Sequence, residues 1–317
     1  MQASAVVRIN PAVAGTALGF GAAPIGNLYA AMSDEEAEAA VLAAFRSGVR
    51  LFDTAPLYGH GLSEQRLGRA LRHLPRHEIT VCTKVGRVLE PGEDEGTIFR
   101  AVPPVRPQFD YSRDGVRRSL SESLARLGLD RVDVVHVHDP DDHEQEAVAH
   151  AFPALMELRD EGVIGAVGAG MNQSGMLTRF VRQVDLDCVL VAGRLTLLDQ
   201  SAAGDLLPAC GDRDVAVIVG GVFNSGVLAD PGRGATYDYT SAPAAVVDRA
   251  QRLAAVCGRH GVPLAAAALQ FPTRFPQVRT VLVGARSAAE VEQDAALFEL
   301  PLPEVLWTDL QQEGLVG

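Results

Sequence analysis

The sequence predicts a single (β/α)8 (TIM) barrel that spans residues 1–317 and carries long loops at its C-terminal face. Short apolar, strand-like segments alternate with helical segments along the whole chain, and no break in composition separates one half from the other. The strand-like segments are apolar on both faces, which is typical of a parallel sheet covered by helices. The length of 317 residues fits one large barrel as well as two ordinary domains.

Eight strand segments and eight helical segments carry this prediction. The first helix begins after Ser33, has Glu36 in the position of a capping box, and ends at Gly48. The predicted strands are Ala17–Phe20, Val49–Asp53, Ile79–Lys84, Val132–His138, Ala166–Ala169, Cys188–Val191, Val215–Val219 and Thr280–Val283. The later predicted helices are Ser63–Leu71 (capped by Ser63), Ser112–Leu127, Gln145–Glu161, Gly175–Gln183, Ala202–Arg213, Pro243–His260 and Ala288–Leu297.

A doubly wound parallel sheet is the competing topology. Such a sheet commonly carries a glycine-rich fingerprint after its first strand, with a helix directly behind it. The segment GFGAAPIG at residues 19–26 follows the first strand here, but its glycines are not spaced as G-x-G-x-x-G and no helical pattern follows at once. The sequence therefore favours the barrel.

Composition and charge restrict the partners of the chain. Hydrophobic residues make up 47% and charged residues 21%, as in globular proteins. A formal net charge of −12 argues against nucleic acid or an anionic membrane as the main partner, and no apolar run or N-terminal segment resembles a membrane span or a secretory signal. Cys82, Cys188, Cys210 and Cys257 show no metal-binding spacing. We therefore expect a reduced, cytoplasmic protein with a small-molecule substrate and no metal, and the oligomeric state stays open.

Two long segments interrupt the alternation of strands and helices. Arg87–Asp110 is rich in proline and follows the third strand, and Ala229–Ala242 follows the seventh. Loops that follow barrel strands rise from the C-terminal face, where active sites form. Both segments are candidate lids or substrate walls, and surface insertions without function are the alternative.

Four polar residues stand at or just after three successive strand ends. Asp53 ends the second strand, Tyr58 lies in the loop behind it, Lys84 ends the third strand, and His138 ends the fourth. Each has a structural alternative, since an Asp can cap a turn and a Lys can extend to solvent. Alternation places His136 on the same side as His138, and therefore in the barrel interior. Because parallel strands end at one edge, we expect the four residues to form a cluster.

The chemistry of these side chains points to acid–base catalysis at an oxygen atom. A tyrosine has a pKa of about 10, and the Lys84 ammonium is expected to lower the pKa of Tyr58 toward the working range. Asp53 supplies the counter-charge that a buried lysine needs. His138 can hydrogen-bond a substrate oxygen, so the set suits proton transfer to or from a carbonyl or hydroxyl group.

The motifs that surround these residues resemble those of the aldo-keto reductase superfamily, in the family's order and over nearly the whole chain. They are FDTAPLYGHGLSEQRLGRAL, TKVG, LGLDRVDVVHVHDPD, AVGAGMNQ, FNSGVL and VLVGARSAAEVEQD. The segments VHDPD, GAGMNQ and GVFNSGVL are most similar to the branch that contains D-threo-aldose (L-fucose) 1-dehydrogenases and pyridoxal 4-dehydrogenases.

The resemblance implies a nicotinamide cofactor that lies extended across the barrel mouth. It assigns Asn172 to the nicotinamide carboxamide, the segment Gly221–Leu228 to the pyrophosphate, and the segment Gly284–Asp294 to the adenosine half. The implied cofactor-binding residues are Asn172, Gly221, Phe223, Asn224, Ser225, Gly226, Leu228, Gly284, Arg286, Glu290, Gln293 and Asp294. The resemblance also implies the catalytic roles of Asp53, Tyr58, Lys84 and His138.

The chain departs from the family pattern around the nicotinamide ring. Ala192 stands where a glutamine is common, Leu195 replaces a tyrosine, and Gly220 stands where an aromatic residue often stacks on the ring. Phe223 is a candidate to take over that stacking.

The cofactor preference follows from the final motif. Members that prefer NADP carry a Lys and an Arg there, and Gly284 and Glu290 stand at those positions in this chain. A carboxylate repels a 2′-phosphate but accepts a hydrogen bond from a ribose hydroxyl, so we expect NAD. NADP, held by Arg286, is the alternative.

The resemblance implies an NAD(P)-dependent oxidoreductase that transfers hydride between nicotinamide and a small polar alcohol, hemiacetal or aldehyde. Oxidation of an aldose of the L-fucose or D-threo type to its lactone is the main expectation. The alternatives are pyridoxal 4-dehydrogenase-type oxidation, general aldehyde reduction, and a binding module that senses nicotinamide nucleotides with slow turnover.

Overall fold

The computed structural model describes residues 1–232 and 234–317. Its strands in that part of the chain are β1 (Val6–Arg8), β2 (Ala14–Thr16), β3 (Leu18–Gly21), β4 (Leu51–Asp53), β5 (Thr80–Val85), β6 (Arg87–Pro91), β7 (Val105–Phe109), β8 (Val134–His138), β9 (Ala166–Met171), β10 (Cys188–Ala192), β11 (Ala216–Gly220), β12 (Thr236–Tyr237), β13 (Thr240–Ser241) and β14 (Val278–Val283). Strands β3, β4, β5, β8, β9, β10, β11 and β14 form a closed barrel of parallel neighbours in that order, and β14 pairs with β3. The predicted barrel is confirmed, and the eight predicted strands match these to within two residues at either end.

The helices surround the barrel. They are α1 (Asp34–Arg46), α2 (Leu62–Leu71), α3 (Arg113–Leu127), α4 (Glu144–Glu146), α5 (Phe152–Asp160), α6 (Ser174–Gln183), α7 (Leu206–Arg213), α8 (Ala244–Arg259), α9 (Leu264–Gln270), α10 (Ala288–Glu299) and α11 (Glu304–Gln312), and a π-helical turn, Ala147–Ala151, joins α4 to α5. The predicted capping box of α1 is present, since the Glu36 amide donates to Ser33 Oγ and the Ser33 amide donates to Glu36 Oε2. Of the described helices, none combines the length and the hydropathy required to cross a membrane.

The prediction that Ser63 caps α2 is wrong. The helix begins at Leu62, behind Gly61 in the left-handed region with φ 89°, so that Ser63 already lies inside the first turn. Ser63 is buried, and its Oγ donates a hydrogen bond of 2.7 Å to the carbonyl of Ala22 and lies 2.8 Å from Thr54 Oγ1. The hydroxyl therefore ties α2 to the chain just behind β3 and β4.

The core has an interior layer and an outer layer. Inside the barrel, side chains from successive strands form one cluster, which includes Leu51, Cys82, Val134, Cys188, Ile218 and Leu282. A larger cluster fills the space between the strands and the helices. The hairpin β1–β2, which the sequence did not predict, adds Ile9 and Val13 to the interior cluster. A third cluster at the C-terminal end of the chain buries Trp307 against Phe271, with 6.2 Å between ring centroids.

Both long segments contain a small hairpin that the sequence did not predict. Within Arg87–Asp110, β6 pairs with β7 over five residues from Arg87↔Phe109 to Pro91↔Val105. Within Ala229–Ala242, of which residue 233 lies outside the described residues, β12 pairs with β13. The two segments follow β5 and β11, so both emerge from the C-terminal face of the barrel.

Candidate active site

The structure brings Asp53, Tyr58, Lys84 and His138 together at the C-terminal end of the barrel. Lys84 Nζ donates to Asp53 Oδ2 at 2.6 Å and to the carbonyl of Thr54 at 2.8 Å. The same nitrogen lies 4.7 Å from the centroid of the Tyr58 ring. The Tyr58 and His138 rings meet edge to face, with centroids 5.9 Å apart. The four side chains therefore form one contiguous group around the phenol.

Glycines and left-handed residues place Tyr58 over the barrel mouth. Gly59 has φ 61°, and the backbone stays in the left-handed region at His60 and Gly61. A Cβ on Gly59 would lie 2.3 Å from the carbonyl oxygen of Gly26, so the loop packs backbone to backbone on the turn behind β3. The backbone conformation of the segment Tyr-Gly-His-Gly therefore fixes the position of the Tyr58 phenol.

Lys84 and Asp53 form a buried ion pair, since their side chains are 1% and 4% exposed. Burial disfavours the ammonium, but the charges of Asp53 and Tyr58 outweigh it and raise the pKa of Lys84 above its usual range. Burial also raises the pKa of Asp53, and the Lys84 ammonium opposes that rise. Lys84 therefore remains protonated at neutral pH and presents a fixed positive charge to the phenol.

The expected lowering of the Tyr58 pKa is wrong as a net effect. Lys84 does lower the pKa of Tyr58, but burial raises it by more, and the Asp53 charge raises it further. The net pKa of Tyr58 lies above its ordinary value because a tyrosinate in this half-buried position loses part of its hydration. In this structure Tyr58 is therefore a phenol at neutral pH.

Both histidines of β8 are neutral. Burial, together with the charges of Arg87 and Lys84, holds the pKa of His138 well below its usual range. Burial and Lys84 lower the pKa of His136 to about 3. His136 lies in the barrel interior, as alternation predicted, with Nε2 3.6 Å from Cys188 Sγ. A neutral His138 imidazole carries one N–H and can donate to a substrate oxygen without bringing a net charge.

The sequence did not predict that Arg87, Tyr111 and Asp139 surround His138. Tyr111 Oη lies 2.7 Å from the carbonyl oxygen of His138 and 2.8 Å from that of Asp139. Arg87 Nη1 donates to the His138 carbonyl, and Arg87 Nη2 donates to Asp139 Oδ2, each at 3.2 Å. The available signal was the Asp that directly follows His138 and precedes Pro140. These contacts fix the backbone that carries the His138 imidazole.

A cleft of about 420 Å³ extends from this group along the barrel mouth. It begins at Asp53 and Tyr58 and ends at the start of α10. The predicted cofactor residues that line it are Asn172, Gly221, Phe223, Asn224, Ser225, Gly226, Gly284, Arg286 and Glu290. The other three lie elsewhere: Leu228 is buried in the C-terminal cluster, Gln293 is exposed on α10, and Asp294 lies on α10 with its pKa raised to about 7 by burial and by Glu290.

The floor of the cleft suits an extended dinucleotide because backbone lines much of it. Gly21, Gly193, Gly220, Gly221, Gly226 and Gly284 contribute to the lining. Gly221 has φ 64°, and a Cβ there would lie 2.9 Å from the amide nitrogen of Gly193. Asn224 donates to the carbonyl of Gly193, and its buried Oδ1 accepts no hydrogen bond from the described residues. Exposed backbone and an unpaired amide oxygen fit the phosphates and ribose hydroxyls of a nucleotide.

The region expected to hold the nicotinamide ring has small side chains. A Cβ on Gly220 would lie 3.6 Å from Leu190 Cδ2, and Ala192 lines the same part of the cleft. Phe223 also lines the cleft while its ring packs against two of the hydrophobic clusters. This end of the cleft therefore offers open space next to the aromatic side chain of Phe223.

The far end of the cleft carries one guanidinium, Arg286, and one carboxylate, Glu290. The Glu290 amide donates to Ser287 Oγ, so Ser287 caps α10, and the Arg286 amide donates to Glu290 Oε2 at 2.7 Å. The Arg286 guanidinium donates to the carbonyls of Leu28, Ala30 and Ala31 at 3.0–3.1 Å. Arg286 is therefore committed to the loop behind β3, and Glu290 places a carboxylate at the cleft.

Together, a strand-end acid–base group and a glycine-lined cleft on a (β/α)8 barrel define an oxidoreductase of the nucleotide-dependent type. The family model described as "Aldo/keto reductase family" matches residues 17–312. The chain belongs to the aldo/keto reductase family and is an oxidoreductase, and the members of this family depend on NAD(P).

Individual relatives are similar over almost their whole length. The chain is 46% identical to a D-threo-aldose 1-dehydrogenase of Pseudomonas sp, covering 95% of this chain and 94% of the relative. It is 41% identical to a pyridoxal 4-dehydrogenase of Microbacterium luteolum, covering 95% of each. Among solved structures, a glycerol dehydrogenase from Gluconobacter oxydans has a TM-score of 0.78 at 23% identity, covering 98% of this chain and 95% of that one. The last likeness concerns the fold alone.

Proposed function

We propose that this protein oxidises the cyclic hemiacetal of an aldose to the lactone, with NAD as the hydride acceptor. The observation that carries the proposal is that the Lys84–Asp53 ion pair adjoins Tyr58, and Tyr58 adjoins His138, at one end of a glycine-lined cleft. The name of the relative with 46% identity supports an aldose as substrate.

Residues of this chain move the proton. In the direction of oxidation, the ionised form of Tyr58 takes the proton from the hydroxyl on C1 of the sugar, and the Lys84 ammonium stabilises that ionised form. Asp53 keeps Lys84 in place through the bond of 2.6 Å. Neutral His138 donates its N–H to the same sugar oxygen and orients it. A bound nicotinamide would accept the hydride that leaves C1, so that the sugar becomes a lactone and the proton stays on Tyr58.

NAD is the proposed cofactor because of the charges at the far end of the cleft. A 2′-phosphate would lie near the Glu290 carboxylate and would be repelled by it. The Arg286 guanidinium already donates to three backbone carbonyls, so turning toward a phosphate would cost those hydrogen bonds. The carboxylate can instead accept a hydrogen bond from a ribose hydroxyl.

Pyridoxal is the second candidate substrate, and the relative with 41% identity supports it. The internal hemiacetal of pyridoxal loses a proton and a hydride in the same way and also gives a lactone. The alternative of a nucleotide-sensing module with slow turnover predicts binding without rapid chemistry, which the experiment below separates from catalysis.

A substrate panel measured with NAD and NADP side by side tests the proposal. Reduced nucleotide and product should be followed for L-fucose and other aldoses, for pyridoxal, and for simple aldehydes with reduced nucleotide. We expect lactone in equal amount to reduced nucleotide with at least one aldose, and a kcat/KM for NAD at least about tenfold above that for NADP, about 1.4 kcal/mol. Nucleotide binding without turnover of any aldose would contradict the proposal, as would turnover of pyridoxal alone.

A further inference from the structure

Asp139 lies beside the reacting groups, between His138 and Arg87. Its Oδ2 is 3.4 Å from His138 Nε2 and 3.2 Å from Arg87 Nη2. The carboxyl side chain remains 30% exposed, although the His138 side chain next to it is only 9% exposed. The negative charge of Asp139 raises the pKa of Tyr58. The Asp139 carboxylate is therefore more accessible to solvent than the His138 imidazole beside it.

The backbone at Asp139 is held in an unusual conformation. Its φ is 43°, in the left-handed region that Asp and Asn tolerate better than most residues do. The Asp139 amide donates to the carbonyl of Gly170 at 3.0 Å, and Tyr111 Oη lies 2.8 Å from the Asp139 carbonyl oxygen. Such a conformation persists only where the surroundings fix it, and it commonly occurs at functional sites. The carboxylate is therefore preorganised rather than free to rotate with the loop.

One oxygen of this carboxylate is still available. Arg87 binds Oδ2, and within the described residues Oδ1 accepts no hydrogen bond from a protein donor. A carboxylate that is charged, positioned and partly unpaired is a strong acceptor for a hydroxyl donor. His138 Nε2 and Asp139 thus present a donor and an acceptor next to each other, which matches two hydroxyls on neighbouring carbons.

We propose, on the basis of the proposed function, that Asp139 determines the substrate class by accepting a hydrogen bond from the hydroxyl next to the one that is oxidised. While His138 orients the hydroxyl on C1, Asp139 Oδ1 binds the hydroxyl on C2, and Arg87 holds the carboxylate in position. The preferred substrates are then cyclic hemiacetals with a vicinal hydroxyl, and a 2-deoxy analogue leaves Asp139 without its partner.

The test compares an aldose and its 2-deoxy analogue in wild type and in Asp139→Asn. Asn keeps the shape and tolerates the left-handed backbone, so the variant removes the charge and little else. We expect Asp139→Asn to lower kcat/KM for the aldose by roughly 10- to 100-fold, the usual value of a charge-assisted hydrogen bond, and to leave the 2-deoxy analogue within about threefold. Asp142→Asn, an exposed neighbour on the same loop, is the matched control and should leave both values unchanged.

An equal loss for the two sugars would overturn the inference, because Asp139 would then act only by positioning His138. An unchanged kcat/KM of Asp139→Asn for the aldose would overturn it as well. Calorimetric binding of the aldose to the NAD-bound protein provides a readout without turnover. If wild type oxidises no aldose, the proposed function fails; weaker aldose binding by Asp139→Asn would still support the role of Asp139, and equal binding would refute it.

Discussion

At the scale of single residues, one ammonium group determines both the stability of the site and its acid–base behaviour. Lys84 is 1% exposed and is stable as a cation only because Asp53 and the Thr54 carbonyl accept its hydrogen bonds. Its charge opposes the effect of burial on Tyr58, whose pKa nevertheless lies above the ordinary value. The phenol is therefore largely protonated at neutral pH. As long as the pH stays below the pKa of Tyr58, each rise of one pH unit increases the fraction of tyrosinate about tenfold.

The pH profile of oxidation follows from these charges. We expect kcat for oxidation to rise with pH through the alkaline range, because the base is the ionised form of a phenol with a raised pKa. The double variant Asp53→Asn/Lys84→Met keeps the pocket neutral and avoids leaving one buried charge unpaired. Its kcat at pH 8 should fall by at least about tenfold, and the rising limb should move to higher pH. Steady-state kinetics from pH 6 to pH 10 measure both effects, and an unmoved limb would show that Lys84 does not act on Tyr58.

The sequence predicted that Asp53, Lys84 and His138 lie close together because they stand at or near strand ends, and parallel strands end together. Alternation along β8 correctly separated the interior position of His136 from the mouth position of His138. The contacts of Arg87 and Tyr111 with the backbone at His138 and Asp139 were not predicted, because they depend on the path of a long loop. The net pKa of Tyr58 was predicted with the wrong sign, since the depth of burial is a property of the assembled fold.

At the scale of elements, the loop between β4 and α2 positions the phenol. Its backbone lies against the turn that follows β3, in direct contact at Gly59 and Gly26. Because φ is 61° at Gly59 and the nearest atom is a carbonyl oxygen, neither the loop nor its neighbour can accommodate a side chain there. The position of Tyr58 therefore depends on this close backbone contact.

Substitution of Gly59 by Ala tests this dependence. We expect Gly59→Ala to lower the free energy of unfolding by more than about 2 kcal/mol and kcat/KM by at least about tenfold, because the clash displaces Tyr58. Gly128, at the end of α3, has a similar φ of 64° with no atom within 4 Å of a Cβ, and is the matched control. Gly128→Ala should cost about 1 kcal/mol and leave kcat/KM intact. Urea unfolding and kinetics measure both, and equal effects of the two variants on kcat/KM would contradict the role of the loop.

The hairpins in the long segments show the limits of element prediction. Proline occurs in both β6 and β7, and proline normally argues against a strand. Within the part of the chain that the structure describes, the two strands pair only with each other, so both are edge strands, and edge strands tolerate proline better than central strands do. The residue pattern of a single segment cannot indicate whether a strand will lie at the edge of a sheet.

At the scale of the whole molecule, the barrel was predictable because eight apolar, strand-like segments alternate with helical segments along the chain. Pairing of β14 with β3 closes the barrel and brings β3, the first barrel strand, next to the start of the last motif, VLVGARSAAEVEQD. That closure places Arg286 against the loop behind β3, through the carbonyls of Leu28, Ala30 and Ala31. The sequence predicted that the last motif lies at the cleft, but not that Arg286 would be engaged there.

The central claim is that Tyr58 transfers the proton in a site that binds its nucleotide independently of that phenol. The most direct measurement is Tyr58→Phe, assayed for aldose oxidation and, by calorimetry, for NAD binding. The account predicts that kcat falls by at least about 1000-fold, the contribution of general acid–base catalysis, while the Kd for NAD stays within about threefold. Oxidation at a normal rate by the variant would contradict the account.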